Sequence, residues 1–250
     1  MKTIVDNLAT EYKERGTGES LLFLHGWGDD GQTFDKLIGD LQNNFHCLTL
    51  DLPGFGQTER PPSAWNVGSY AEFVRDFIIK KDLKPKAIVG HSFGGRIAIK
   101  GLATDILETE KLILIGSAGF KKSDSFKNRL IKILAKVFGF IFLIPPFKSR
   151  QEKMRRKLYN ILGSDYHQAG DLKETFIKVI NEDLTESAKE IKLPTLLIWG
   201  EDDRETPLSD GLKLNSLIKN SELKVFKEAG HFVHQEKSSD VAEIINKFLS

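Results

Sequence analysis

Lys86-Ala87-Ile88-Val89-Gly90-His91-Ser92-Phe93-Gly94-Gly95-Arg96-Ile97-Ala98 is the stretch on which the fold turns. A short apolar run, a glycine-flanked polar centre and an apolar continuation with helical spacing read as a strand, a sharp turn and a helix start. The pattern Gly90-x-Ser92-x-Gly94 puts a glycine two residues to either side of the serine, where the backbone must approach its neighbours closely. A serine on such a turn can be held in a strained conformation with its hydroxyl exposed above a sheet. At the helix start it also lies at the positive end of the helix dipole, which favours negative charge developing beside it.

Working outward, short β-branched and apolar runs recur at residues 21–24, 47–50, 87–89, 112–115 and 195–199, with a weaker one at 223–226. Each is followed by a polar turn and, in most cases, a longer segment of helical spacing, which predicts an α/β architecture with a doubly wound, mostly parallel sheet. Residues 3–5 and 9–13 predict an antiparallel hairpin on the sheet edge. From Gly116 to Pro194 no further strand is expected, and Leu130, Ile133, Leu134, Val137 and Phe138 recur with helical period. The expected organisation is therefore a core of 1–117 and 191–250 with a helical insertion over 118–190 after the sixth strand. A final helix is expected at 240–249, with Val241, Ile244, Ile245 and Phe248 on its apolar face.

A serine hydroxyl is a weak nucleophile until a base takes its proton, so Ser92 calls for a histidine and a carboxylate that orients it. Of six histidines, His231 in Ala229-Gly230-His231-Phe232 follows the last strand and precedes the final helix, placing it at a strand's carboxyl end, where open α/β sheets bind ligands. His234 is the rival and is expected on the surface. Trp199-Gly200-Glu201-Asp202-Asp203 follows another strand, and Asp203 is the expected acid, with Asp202 second. Gly116-Ser117-Ala118-Gly119 carries no carboxylate, which removes the strand end before it as an acid position. Attack on a carbonyl also creates an oxyanion that needs preorganised N–H donors. The Phe93 amide is one; the Trp27 amide, in the loop His25-Gly26-Trp27-Gly28, is the other.

The 250 residues suffice for one large core without a metal or disulfide staple. Net charge is +1, which argues against a nucleic-acid partner, but the distribution is uneven. Residues 121–157 hold twelve Lys or Arg against Asp124 and Glu152, giving +10 and leaving −9 to the remainder. The longest nearly uncharged apolar run, 137–147, is well short of the roughly 20 residues of a spanning helix. Cys47 is the lone cysteine, and residues 1–16 carry charges without an apolar run, so a secretory signal is not expected and a cytoplasmic setting is.

Together these motifs resemble the α/β-hydrolase superfamily along nearly the whole chain. His25-Gly26-Trp27-Gly28 is similar to its oxyanion loop, and Asp51-Leu52-Pro53-Gly54-Phe55-Gly56 to its next strand-end motif, though Gln57-Thr58 stands where a serine is frequent. Gly200-Glu201-Asp202-Asp203 with Pro207 resembles the acid loop, and the order Ser92, Asp203, His231 is that of the superfamily. The resemblance implies that 118–190 is a helical cap and that no metal or cofactor is needed. Ser92 argues against the epoxide hydrolases and dehalogenases, which commonly use aspartate. The expected activity is cleavage of a small-molecule carboxylic ester through an acyl-enzyme. Two alternatives remain: carbon–carbon bond hydrolysis of ring-cleavage products, and a ligand-binding receptor of slow turnover. The apolar face of 126–136 is expected to cover the catalytic cleft and line an acyl pocket with its bases solvated; the alternative is peripheral contact with anionic membrane or acidic amphiphiles. Nothing in the residues sets an oligomeric state.

Overall fold

The computed structural model describes residues 1–121 and 170–250. Eight strands form one sheet in the order β1-β2-β4-β3-β5-β6-β7-β8. These are β1 (Lys2–Val5), β2 (Leu8–Arg15), β3 (Glu19–Leu24), β4 (Phe45–Leu50), β5 (Pro85–His91), β6 (Lys111–Ile115), β7 (Thr195–Gly200) and β8 (Ser221–Phe226). From β4 to β8 the pairing is parallel throughout, while β1 and β2 join it antiparallel at one edge. Asp6 and Asn7 turn that hairpin with φ of 47° and 60°, the left-handed pair a two-residue turn requires. All six strands read as parallel in the sequence are present, each within a few residues of its expected ends.

Central strands are buried on both faces and therefore read as continuous apolar runs, whereas the edge strand β8 is only partly covered. Alternation along each strand sends Leu21, Phe23, Ala87, Val89, Ile113, Ile115, Leu196 and Ile198 into one core layer. There they meet α1 (Asp35–Leu41), through Leu37, Ile38 and Leu41, and the C-terminal helix. Their neighbours Leu22, Leu24, Ile88, Leu112, Leu114 and Leu197, equally buried, point to the opposite face. On that face lie α2 (Val67–Lys80), capped by the Asn66 side chain, and α3 (Phe93–Ala103). Each such side chain contributes roughly 1.5–3 kcal/mol by leaving water.

The chain divides into two compact units, Met1–Phe120 with Glu182–Ser250, and Lys121–Asn181. Of the second, the described part is a 3₁₀ turn at Gly170–Leu172 and α4 (Lys173–Asn181). The expected insertion 118–190 lies largely outside the described residues, as do the periodic residues 130–138 and most of the basic segment 121–157. Its last helix, α5 (Thr185–Glu190), belongs to the sheet-bearing unit, because Leu184, Ala188 and Ile191 are buried there. Leu184 N–H donates to Gly119 O at 2.9 Å, and Lys100 pairs with Glu182 at 3.0 Å. Beyond α6 (Leu208–Leu217) and the short α7 (Val233–Glu236), α8 (Ser238–Leu249) closes the chain. Its buried stripe is Val241, Ala242, Ile245 and Leu249, with Ile244 and Phe248 at the margin, a rotation of the expected face. No described helix is long and apolar enough to cross a membrane.

The passage from β5 to α3 depends on missing side chains. A Cβ on Gly94 would lie 2.0 Å from Leu24 O, and one on Gly95 would lie 2.1 Å from Ser117 Oγ, whereas one on Gly39, inside α1, would meet nothing within 4 Å. Gly94→Ala should therefore lower stability by more than about 2 kcal/mol in urea unfolding, since backbone must move to admit the methyl group. Gly39→Ala should raise it by about 0.5–1 kcal/mol, the ordinary helix gain.

Candidate active site

The loops that carry the predicted residues all leave carboxyl ends of parallel strands, so the topology alone gathers them along one edge of the sheet. Ser92 follows β5 and caps α3 with φ 49° and ψ −107°, a conformation that costs a non-glycine residue of order 1–3 kcal/mol. Neighbouring backbone holds it there from several sides. Ser92 N–H donates to Ile115 O at 3.1 Å, and Ala118 N–H and Gly95 N–H both donate to Ser92 O at 3.1 Å. Gly94 N–H reaches back to His25 O at 3.0 Å, which ties the turn to the loop after β3.

That second loop is locked by His25. Leu52 N–H donates to its Nε2 at 2.9 Å, so the ring proton sits on Nδ1 and donates to Gly26 O at 2.7 Å. Burial lowers the His25 pKa against the opposing pull of Gly26 O and nearby carboxylates, consistent with that neutral tautomer. Asp51 completes the tie, accepting from Gly31 N–H and Gln57 N–H at 2.9 Å each. The Trp27 ring packs edge-on against Phe55 and Phe93, with centroids 4.9 and 5.3 Å away, and Tyr70 backs Phe93 at 5.0 Å. An aromatic cluster thus fixes the segments that bear the two expected oxyanion amides. As α3 starts at Phe93, its first-turn N–H groups have no acceptor within the helix.

His231 and Asp203 meet directly. His231 Nδ1 lies 2.8 Å from Asp203 Oδ2, both side chains are buried, and the histidine proton is thereby placed on Nδ1. Asp203 Oδ1 accepts from Glu205 N–H and Thr206 N–H at 2.9 Å each. Burial pushes the Asp203 pKa up, but the His231 contact and the Thr206 N–H and hydroxyl outweigh it, so the net shift is downward. Asp202, the second choice, is exposed, and its N–H is spent on Ala229 O. Thr206, which the sequence does not single out, and Gly116, notable there only for lacking a carboxylate, complete the pair. Thr206 Oγ1 lies 2.8 Å from Asp203 Oδ2 and 2.9 Å from Gly116 O. Gly116, at φ 48°, leaves room where a Cβ would lie 3.2 Å from both Asp203 Oδ2 and His231 Nδ1. The absence of a side chain at this strand end is thus a packing requirement, over and above the absent carboxylate.

His234 corrects an expectation: it is fully buried. The short α7 turns it inward onto Thr33, 3.2 Å from its Nε2, and against Phe34. His91, the residue before Ser92, bridges the two histidines, with ring centroids 4.7 Å from His231 and 4.5 Å from His234. Its Nε2–H donates to His231 O at 3.1 Å and so steadies the backbone of the candidate base. The arrangement was invisible in the sequence because a residue's neighbours along the chain do not report what it packs against in space.

With this geometry in view, the sequence model of the alpha/beta hydrolase family matches residues 21–244. The chain belongs to the alpha/beta hydrolase family. It is 29% identical to AB hydrolase superfamily protein YisY of Bacillus subtilis (strain 168), over 93% of this chain and 92% of the relative. It is 28% identical to 2-hydroxy-6-oxononadienedioate/2-hydroxy-6-oxononatrienedioate hydrolase 1 of Pseudomonas putida, over 98% and 93%. Among solved structures, a membrane phospholipase A described as a bacterial virulence factor superposes with a TM-score of 0.77 at 27% identity, covering 100% of this chain and 84% of that one.

The buried histidines give the family member a predictable acid response. Burial, reinforced by neighbouring His231, lowers His234 to about 3, and burial holds His91 well below its ordinary value of 6.5. The unfolded chain takes up these protons as pH falls through about 6.5, whereas the folded chain declines them down to about 3 at His234. Stability is therefore full above that window and is lost within it, by up to about 1.4 kcal/mol per pH unit for each such group. Urea midpoints should already fall between pH 6.5 and 5, above most carboxylate titration. His234→Phe should flatten that decline by close to one proton's share.

Proposed function

We propose that this alpha/beta hydrolase cleaves carboxylic esters by acyl transfer through Ser92. The observation that carries the reading is the buried Asp203–His231 pair, ordered with its proton on Nδ1, on the sheet edge where Ser92 caps α3. With Nδ1 committed to Asp203, His231 Nε2 is the nitrogen available to take the Ser92 proton. As Oγ bonds to the carbonyl carbon, the oxygen gains negative charge, and the Trp27 and Phe93 amides are its donors. Collapse expels the alcohol, which leaves with the proton carried by His231. Water then attacks the acyl-enzyme, giving its proton to His231 and displacing Ser92 Oγ, which recovers that proton. Carboxylic acid and free enzyme result, with no metal or cofactor required.

Ser92→Ala should reduce kcat on short p-nitrophenyl esters roughly 10⁴-fold or more, and Asp203→Asn by roughly 10³- to 10⁴-fold through the wrong histidine tautomer. Covalent labelling by a fluorophosphonate that is lost in Ser92→Ala identifies the nucleophile independently. Turnover retained in folded Ser92→Ala refutes the assignment.

Similarity to the Pseudomonas putida enzyme favours a second reading, carbon–carbon bond hydrolysis of a ring-cleavage product with the same residues. Release of a carboxylic acid from a vinylogous diketone, with little ester turnover, selects it. The name of the phospholipase-like neighbour supports an amphiphilic ester as substrate. Within this reading the insertion expected over 118–190 supplies the cap, less α5, which belongs to the sheet-bearing unit, and the +10 charge of 121–157 is its means of meeting anionic lipid. Co-sedimentation should then be stronger with anionic than with neutral vesicles; equal binding to both, or binding to neither, rejects the lipid contact.

A further inference from the structure

The acid loop presents a second carboxylate to His231. While Asp203 holds Nδ1 from below, Glu205 Oε2 lies 3.5 Å from Nε2, the opposite edge of the same ring. The Asp203 side chain is fully buried, whereas that of Glu205 is 63% exposed. Their roles must therefore differ: a dry carboxylate orients the ring, and a wet one faces what approaches it. The backbone that carries Glu205 is held in place. Its own N–H and that of Thr206 both donate to Asp203 Oδ1, fixing the turn, and Trp199 Nε1–H anchors Thr206 O at 2.8 Å. Among the described residues the ion pair of the Glu205 carboxylate is with His231.

Nε2 is the atom that must pass a proton to the departing alcohol, so a group beside Nε2 lies next to the alcohol half of the substrate. We infer that Glu205 is a charge selector on the leaving-group side, favouring esters whose alcohol carries a cation and disfavouring those whose alcohol carries an anion. At 3.5 Å it is too far for a good hydrogen bond to Nε2, and it acts as a point charge through partly wet space. Its effect is therefore modest and screened by salt. The inference rests on the serine-esterase reading. The same charge opposes a substrate whose departing half carries a carboxylate.

The test compares esters of one acyl group, the one best turned over in a p-nitrophenyl panel. The alcohols are choline, its neutral isostere 3,3-dimethylbutanol, and 3-hydroxypropanoate. In the intact protein the choline to dimethylbutyl ratio of kcat/KM should exceed one, and it should fall roughly three- to fivefold in Glu205→Gln, while the 3-hydroxypropanoate to dimethylbutyl ratio rises by a similar factor. The wild-type preference should also shrink at about 1 M salt, where the Debye length is near 3 Å. A structural role for Glu205 would change all three substrates together and leave the ratios and their salt dependence alone. Unchanged ratios in Glu205→Gln, with ester turnover still lost in Ser92→Ala, overturn the charge selector and leave the esterase reading standing. Ester turnover that survives Ser92→Ala overturns both.

Discussion

Everything at the sheet edge depends on how closely α3 approaches the ends of β3 and β6. Gly94 lies against the Leu24 carbonyl and Gly95 against Ser117, and that approach forces the intervening turn into the conformation seen at Ser92. A positive φ on a serine is unfavourable in isolation. It persists because Ile115, Ala118, Gly95 and His25 each contribute a backbone hydrogen bond to the turn.

From that constraint the site is assembled by loops that brace one another rather than by a single element. His25 joins the β3 loop to the β4 loop at Leu52, Asp51 joins the β4 loop to Gly31 and Gln57, and His91 joins the β5 end to the backbone of His231. The Asp203 turn is closed by Thr206, whose hydroxyl also lies against Gly116 O at the end of β6. Buried polar groups are costly unless paired, so each of these ties makes the displacement of one loop unfavourable for its neighbour. The cost is borne at low pH, where histidines kept neutral by burial must be charged on unfolding.

Electrostatically the histidine lies between two carboxylates of different character. Asp203 is dry and hydrogen-bonded four times over by His231, Thr206 and Glu205, which suits a group that must stay ionised and still. Glu205 is largely exposed and lies beside the other ring nitrogen. The sequence sets three adjacent carboxylates at 201–203, yet the second charge at the ring comes from two residues further on.

The sequence by itself determined the sheet, because strands buried on both faces must be continuous apolar runs and glycines must stand where backbones touch. It likewise put Ser92, Asp203 and His231 at the carboxyl ends of strands, which a parallel sheet sets along one edge. Only the tertiary structure decided what those loops bury and which atoms they face. His234 reads as a surface residue until α7 turns it onto Thr33, His91 is only the residue before Ser92 until its ring meets His231, and Gly116 only lacks a carboxylate until Asp203 and His231 are seen beside it. Glu205 belongs to the same class: its neighbours in sequence report a turn, and only the fold brings its carboxylate to Nε2. The physical reason is common to all four. Periodicity and glycine placement are local consequences of packing and can be read along the chain, whereas contact between two loops depends on strand order in space, which the chain does not display.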